Sequence, residues 1–282
     1  LLEGNYPDYH MRQIDDEPYD NLTLTVPKRV RSYIKIEDGC ENKCAYCIIP
    51  ALRGKIRSRT KESVISEATE LIKAGAQEIV LTGIETASYG KDFQNGYSLS
   101  DLLADIDALD GFKRLTLGSL EPNVMTDSFL SKLSGLSSVL PHFHLSMQSG
   151  SSATLRRMRR RYNADQAREY ISNIRHYFPD AMLSADVIVG FPGETDADFL
   201  ETVEFFKENR FLHLHIFPFS RRKGTEADLM PDQIPEDVKR RRAAYLADIQ
   251  RDIKIKMLDD YCLEHKNKRV RILFEQYKNG VM

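Results

Sequence analysis

Short β-rich runs alternate with amphipathic stretches along most of this chain, and that alternation restricts its fold more than any other feature. Strand-like runs lie at Tyr33–Glu37, Glu78–Thr82, Arg114–Leu117, His142–Leu145, Leu183–Val189 and His213–Phe219. Helical periodicity predicts helices over Lys61–Ala74, Ser98–Ala108, Asp127–Ser134, Ala164–Phe178, Asp196–Asn209 and Pro235–Glu264, with Gly75 stopping the first. Successive β–α units require parallel strands, because each crossover helix packs back on the sheet through a right-handed connection. Apolar runs such as Ile79-Val80-Leu81 and Val187-Ile188-Val189 predict strands buried on both faces. Six units fall short of a closed eight-stranded barrel, so the expected fold is α/β: an open, partial (β/α)6 TIM-like barrel with ligands at the C-terminal ends of its strands.

Composition excludes several function classes. The 282 residues are 41% hydrophobic with a formal net charge of −2, so the molecule as a whole is not a generic nucleic-acid binder. Any such role rests on local basic runs, of which there are two: Arg156, Arg157, Arg159, Arg160 and Arg161, and Lys239-Arg240-Arg241-Arg242. A charge run is ordinarily a solvated face, and the same residues offer contacts to phosphates. No apolar run is long enough to span a bilayer and the first residues lack a signal pattern, which predicts a cytoplasmic protein with reduced thiols. Residues 1–31 are polar, carry Pro7, Pro18 and Pro27, and read as a lead-in or linker to a core at residues 32–265. The chain does not begin with Met, and a strand-like run at Arg269–Phe274 has no partner after it, so a piece of a longer protein is expected, with 266–282 opening another domain.

Three of the four cysteines, Cys40, Cys44 and Cys47, fall within eight residues, while Cys262 stands alone. A disulfide framework does not produce this pattern. Three readings are open. The offsets suit one helix face, hence core thiols, but Gly39, Glu41, Asn42 and Lys43 argue for an irregular loop. Structural zinc wants four ligands, yet no His follows before His142, and only the fold could bring His142 or Cys262 back. Three thiolates can instead hold a [4Fe-4S] cluster and leave one iron open for a non-protein ligand.

Other strand ends carry groups suited to a ligand. Thr82-Gly83-Ile84-Glu85-Thr86 places a Gly where a backbone can approach closely, although such a segment is equally an ordinary turn. Ser119-Leu120-Glu121-Pro122 offers a hydroxyl and a carboxylate able to accept hydrogen bonds from ribose. Asp186 to Thr195 runs a buried strand into a turn, Gly190-Phe191-Pro192-Gly193, with Thr195 as a helix cap.

Cys-x3-Cys-x2-Cys with Tyr46 before its last Cys resembles the signature of the radical S-adenosylmethionine (radical SAM) enzymes. The resemblance implies that Cys40, Cys44 and Cys47 hold a [4Fe-4S] cluster, that S-adenosyl-L-methionine chelates the open iron, and that its reductive cleavage yields a 5′-deoxyadenosyl radical. It further implies SAM contacts from Tyr46, Gly83, Glu85, Ser119, Glu121, Gln148, Ile188 and Gly190, with the strand from Asp186 and its free turn amides bracketing the purine. No catalytic residue beyond the cluster ligands is assigned.

Ile48-Ile49-Pro50, Arg53-Gly54, Ser58-Arg59, the run from His144 to Ser151, the arginine-rich segment to Tyr162 and Phe217-Pro218-Phe219-Ser220 resemble the methylthiotransferase branch. Leu81 to Gly90 is most similar to members that methylthiolate C2 of N6-threonylcarbamoyladenosine at position 37 of tRNA. Members acting on isopentenyladenosine, or on an aspartate of a ribosomal protein, remain alternatives. A radical suits the task, because C2 of adenine offers neither an acidic proton nor a leaving group. The resemblance implies the tRNA anticodon loop and a reducing partner such as a flavodoxin or ferredoxin. It also implies a second [4Fe-4S] cluster on an N-terminal domain and a C-terminal TRAM-like barrel; this chain lacks the extra cysteines, so it is expected to bind SAM without completing methylthiolation. From another class, a non-catalytic RNA-binding module with a structural metal competes with the enzyme.

Overall fold

The computed structural model describes residues 30–270 and 272–274. In chain order its elements are β1 (Arg31–Lys35), β2 (Glu37–Asp38), α1 (Ile49–Arg53), β3 (Arg57–Ser58), α2 (Lys61–Lys73), β4 (Glu78–Thr82), α3 (Leu99–Asp107), β5 (Arg114–Leu117) and α4 (Asp127–Ser134). There follow β6 (His142–Gln148), α5 (Ser152–Arg157), α6 (Ala164–Tyr177), β7 (Met182–Val189), α7 (Asp196–Asn209), β8 (His213–Pro218), α8 (Glu226–Leu229) and α9 (Glu236–Glu264). Residues 1–29 of the linker expected at 1–31, together with residues 271 and 275–282, lie outside the described residues, and Arg31 already belongs to β1. Arg269, Val270 and Ile272–Phe274, read as a strand, are irregular.

Six strands are parallel, in two hydrogen-bonded sets, β1-β4-β5 and β6-β7-β8. Leu120 joins the sets just beyond β5: it donates to the His144 carbonyl and accepts from the Ser146 amide, each at 2.9 Å. The spatial order is therefore β1-β4-β5-β6-β7-β8, and among the described residues β1 and β8 do not pair. This is the open α/β arrangement that the alternation predicts.

Local chemistry sets the helix limits. Thr60 and Thr126 accept from the amides three residues on, and capping boxes start α3 (Ser98 with Asp101), α6 (Asn163 with Gln166) and α7 (Thr195 with Asp198). Gly75, at φ +100°, ends α2 while Ala76 donates back to the Leu71 carbonyl. Three short helices, α1, α5 and α8, have too few residues to show a period, and sequence reading misses them.

Two expectations are corrected. The strand expected at Tyr33–Glu37 breaks after Lys35, because Glu37–Asp38 turns to pair antiparallel with Arg57–Ser58. This two-residue pairing forms a stem under residues 39–56. Burial on both faces holds for β4 but not for β6 to β8. There Phe143, Leu145, Leu183, Val187 and Leu214 face the helices, while His142, His144, Asp186, His213 and His215 line a partly open inner face. The inner face is polar because the barrel is open, and water reaches it.

The turn after β6 is pressed against α7. Gly150 donates to Thr202 Oγ1 at 3.2 Å, Ser151 Oγ donates to Asp198 Oδ1 at 2.9 Å, and a Cβ on Gly150 would lie 2.4 Å from Phe205 Cβ. Gly150→Ala is expected to push this turn off α7 at a cost of about 1–3 kcal/mol, seen as a lower denaturant midpoint at unchanged slope.

Candidate functional site

The stem of β2 and β3 carries the cysteine loop at the end of the sheet where β1 and β4 terminate. Gly39 begins it at φ +85°, and an added Cβ would sit 1.9 Å from the Lys55 carbonyl, so only glycine fits. Asp38 accepts from the Gly39 amide at 2.8 Å and gathers Lys35, Arg53 and Arg57 at 2.6, 3.6 and 3.8 Å. Burial alone would raise the Asp38 carboxyl, but Lys35 and the Gly39 amide bring it below its ordinary value. Arg53 is thus an ion-pair partner inside the loop. Cys40 donates to the Gly54 carbonyl, Ala45 donates to the Met158 carbonyl, and Ala227 donates to the Ala45 carbonyl. A small cluster of Ala45, Met158, Phe191, Phe219 and Ala227 clasps the loop to the strand ends.

All three loop cysteines are free thiols; Cys40 is buried and Cys44 and Cys47 are half-buried. Burial pushes the Cys40 thiol up to about 11 and raises Cys47 as well, so each favours its neutral form until a cation arrives. No three His, Cys, Asp or Glu among the described residues converge on a point that a single metal ion could occupy. His142 belongs to the opposite end of β6 and bonds Ser184, and Cys262 is exposed on α9. Neither adds a fourth zinc ligand. A cubane shares three thiolates among three irons, so it does not demand convergence on one ion.

Arg160 stands next to the loop with its side chain only 4% exposed. Its Nη1 donates to Cys44 Sγ at 3.3 Å, Nη2 donates to the Ser146 carbonyl at 3.0 Å and pairs with Glu121 Oε1 at 3.2 Å, and Nε donates to Tyr162 Oη at 3.3 Å. Burial works against this charge, but Tyr162, Tyr46, Glu121 and Cys44 more than offset it and raise the guanidinium further. Glu121 Oε2 accepts from Asn42 Nδ2 at 3.1 Å. The loop, the β5 end and the β6 end therefore share one charge network. Sequence reading placed Arg160 in an exposed basic run; nothing local distinguishes it from its neighbours.

A second carboxylate, Glu37, is fully buried on β2 and was not singled out from the sequence. Its Oε1 accepts from the Glu85 amide at 2.6 Å. A Cβ on Gly83 would fall 2.0 Å from that oxygen, so the close approach expected at Gly83 is made by Glu37. Burial raises both carboxyls to about 7, helped at Glu85 by the facing Glu121. Glu37 Oε2 and Glu85 Oε1 are buried without a hydrogen-bond partner, which is costly unless a further group occupies them.

Tyr46, Gln148 and Ile188 line a cavity of about 360 Å³ with Asp186, Phe217, Pro218, Phe219, Ser220 and Arg222. Tyr46 packs edge-on against Phe191, and burial raises its phenol well above the ordinary range. Gln148 adopts φ +67° after the irregular end of β6, which turns its backbone at the cavity wall. The Arg222 guanidinium has no hydrogen-bond or ion-pair partner among the described residues. Ser119 is exposed between β5 and the buried Leu120.

Gly190 follows β7 directly but is not among the residues lining this cavity. Its amide donates to Glu194 Oε2 at 2.7 Å, the Gly193 amide donates to Asp232, and a Cβ on Gly190 would meet Lys239 Cγ at 2.4 Å. The amides expected to be free for a purine are thus spent on the turn itself. Both basic runs are likewise divided. Arg157 bonds Asp198, Arg159 pairs with Glu226, and Arg160 is buried in the site. Lys239 pairs with Glu236, Arg241 with Asp237, and Arg242 with Glu194 and Asp196, leaving Arg156, Arg161 and Arg240 as exposed cations of the two runs without such pairs.

Residues 34–206 match the family model described as the Radical SAM superfamily. The threonylcarbamoyladenosine tRNA methylthiotransferase MtaB of Bacillus subtilis is 39% identical over 88% of this chain and 54% of its own length. Its namesake in Thermotoga maritima is 39% identical over 84% and 55%, and the tRNA-2-methylthio-N(6)-dimethylallyladenosine synthase of Desulfitobacterium hafniense 36% over 83% and 52%. The chain therefore spans about half the length of these relatives. Among solved structures, the radical S-adenosylmethionine methyltransferase TsrM of Kitasatospora setae, with cobalamin and a [4Fe-4S] cluster, superposes with a TM-score of 0.58 at 16% identity over 70% of this chain and 38% of its own. Methylornithine synthase gives 0.54 at 14% identity over 78% and 62%. These two likenesses concern the fold.

The raised carboxyls make stability depend on pH. An ordinary Glu titrates at 4.5 and the folded Glu37 and Glu85 at about 7, so between these values the folded chain binds more protons than the unfolded one. Their contribution is complete below 4.5 and is lost as pH rises through about 7. Glu37→Gln keeps an acceptor for the Glu85 amide without an ionisable group, and is expected to flatten part of that fall. Unfolding free energies of the iron-free chain from about pH 4 to 8 check this.

Proposed function

Because this chain belongs to the radical SAM superfamily, we propose that it is the radical-generating core of a tRNA methylthiotransferase acting on C2 of N6-threonylcarbamoyladenosine. The observation that carries this reading is a loop of three free thiols beside a partly aromatic cavity at the C-terminal ends of parallel strands. The donor set suits the cofactors: thiolates are the ligands iron–sulfur clusters take, and the orphaned carboxylate oxygens of Glu37 and Glu85 await polar partners.

Cys40, Cys44 and Cys47 would hold the [4Fe-4S] cluster, with Glu85, Glu121, Ser119, Gln148, Ile188 and Tyr46 around SAM; Gly83 and Gly190 act by letting Glu37 and Lys239 pack. When bound, cluster and SAM supply a 5′-deoxyadenosyl radical able to take hydrogen from an unactivated carbon. The protein's part is orientation and exclusion of water. Glu37 fixes the 83–85 turn, Asn42 and Arg160 aim Glu121, and Tyr46, Phe191 and Phe219 close the apolar side. A sulfur-donating second cluster would need cysteines beyond the four in this chain. The reading includes a cytoplasmic setting, a flavodoxin or ferredoxin as reductant, and the tRNA anticodon loop as substrate; no helix among the described residues is long and apolar enough to cross a membrane.

Two observations favour the threonylcarbamoyl substituent over dimethylallyl. The MtaB relatives carry that substrate in their names. The cavity also holds a guanidinium, Arg222, unpaired among the described residues, and the threonylcarbamoyl group ends in a carboxylate whereas dimethylallyl is apolar.

Anaerobic reconstitution with iron and sulfide is expected to give a charge-transfer absorption near ~400 nm and SAM cleavage on reduction. Cys44→Ala should lose both and Cys262→Ala should keep both. Stoichiometric zinc with no SAM cleavage would favour an RNA-binding module instead. In the native protein, Arg222→Gln is expected to lower kcat/KM about 10- to 100-fold for tRNA carrying threonylcarbamoyladenosine, with little change for tRNA carrying dimethylallyladenosine. Equal losses on both tRNAs would remove Arg222 from substrate choice.

A further inference from the structure

Arg160 is the one cation among the described residues that touches a loop thiol, and its five N–H donors are shared among four groups from separate parts of the chain. We propose that Arg160 is a positioning residue that ties the Cys44 sulfur to the Glu121 carboxylate, and so sets the reduction potential of a cluster held on the three cysteines. The inference rests on the reading of this loop as a cluster site.

The geometry is specific. Nη1 faces Cys44 Sγ, and Nη2, on the other prong of the same planar fork, faces Glu121 Oε1 and the Ser146 carbonyl. Tyr162 lies under the guanidinium at 5.2 Å from the ring centroid, and its hydroxyl donates to the Met147 carbonyl at 2.8 Å. Ring and backbone together fix the plane of the fork, so the two prongs cannot turn away independently. The positions of Cys44 and Glu121 are thereby linked.

Hydrogen bonds to cluster sulfur and nearby positive charge favour the more negative, reduced form of an iron–sulfur cluster, and burial strengthens both effects. A cation shared with Glu121 is partly neutralised by it. Whatever binds at Glu121 therefore changes how much of the Arg160 charge is felt at Cys44. The sequence conceals this, because Arg160 sits among four other arginines that face solvent or pair at the surface.

Redox titration of the reconstituted native protein, followed by electron paramagnetic resonance, tests the proposal together with SAM binding by equilibrium dialysis. Arg160→Gln removes the charge, and its midpoint potential is expected to move negative while SAM binding weakens about 10-fold or more. Arg160→Lys keeps a charge but loses the fork, so the potential should be largely retained and SAM affinity should fall. Glu121→Gln leaves Arg160 unopposed, and its potential should move in the opposite direction, positive. That sign reversal separates an electrostatic role from a packing role; if Arg160→Gln fails to hold iron, the positive shift in Glu121→Gln and the retained potential with weakened SAM binding in Arg160→Lys decide instead. Unchanged potentials in Arg160→Gln and Glu121→Gln, or shifts of the same sign, overturn the proposal. Failure of the unaltered protein to take up a cluster at all overturns instead the reading beneath it.

Discussion

Every strand of the central sheet runs in one direction, and the rest of the molecule depends on this constraint. Parallel pairing requires each chain segment to return through a helix before the next strand begins, so every segment that follows a strand leaves from the same end. Residues as far apart as Cys44, Glu85, Glu121, Gln148 and Ile188 are thereby delivered to one region. An antiparallel sheet of the same strands would divide them between two ends.

Delivery alone does not make a site. The cysteine loop departs from regular structure at the first opportunity, and its shape is maintained by a two-residue stem, a glycine with no room for a side chain and a carboxylate shared by three cations. Above it, Arg160 and Glu121 form a buried pair. Such a pair is a poor source of stability, since desolvation of both charges consumes most of their attraction. Its value lies in direction: a planar fork with each prong occupied permits few arrangements of the groups around it.

Much of this was legible before any coordinates. Five of the six parallel strands, β4 to β8, and the helices α2, α3, α4, α6, α7 and α9 fall close to where periodicity and caps predict, because each is long enough for its hydrophobic face to repeat. The stem of β2 and β3 was not legible, since two residues carry no period. The polar inner face at His142, His144 and Asp186 was also missed: apolar residues dominate β7, and only the missing part of a barrel wall makes its other face wet. Gly190 illustrates a third limit. Its sequence context suits a ligand-binding turn, yet its space and its amide are taken by Lys239 and Glu194.

The sequence by itself determined the class of fold and the group of thiols proposed as cluster ligands, because strand and helix periods are local and because three thiols within eight residues remain close however the chain folds. Only the tertiary structure decided which charged residues belong to the site. Arg160 and Arg161 are adjacent and chemically identical, yet one is buried against Cys44 and Glu121 while the other faces water. Charge is a property of a residue, but its consequence depends on what desolvates it and what lies opposite, and both come from chain segments distant in sequence.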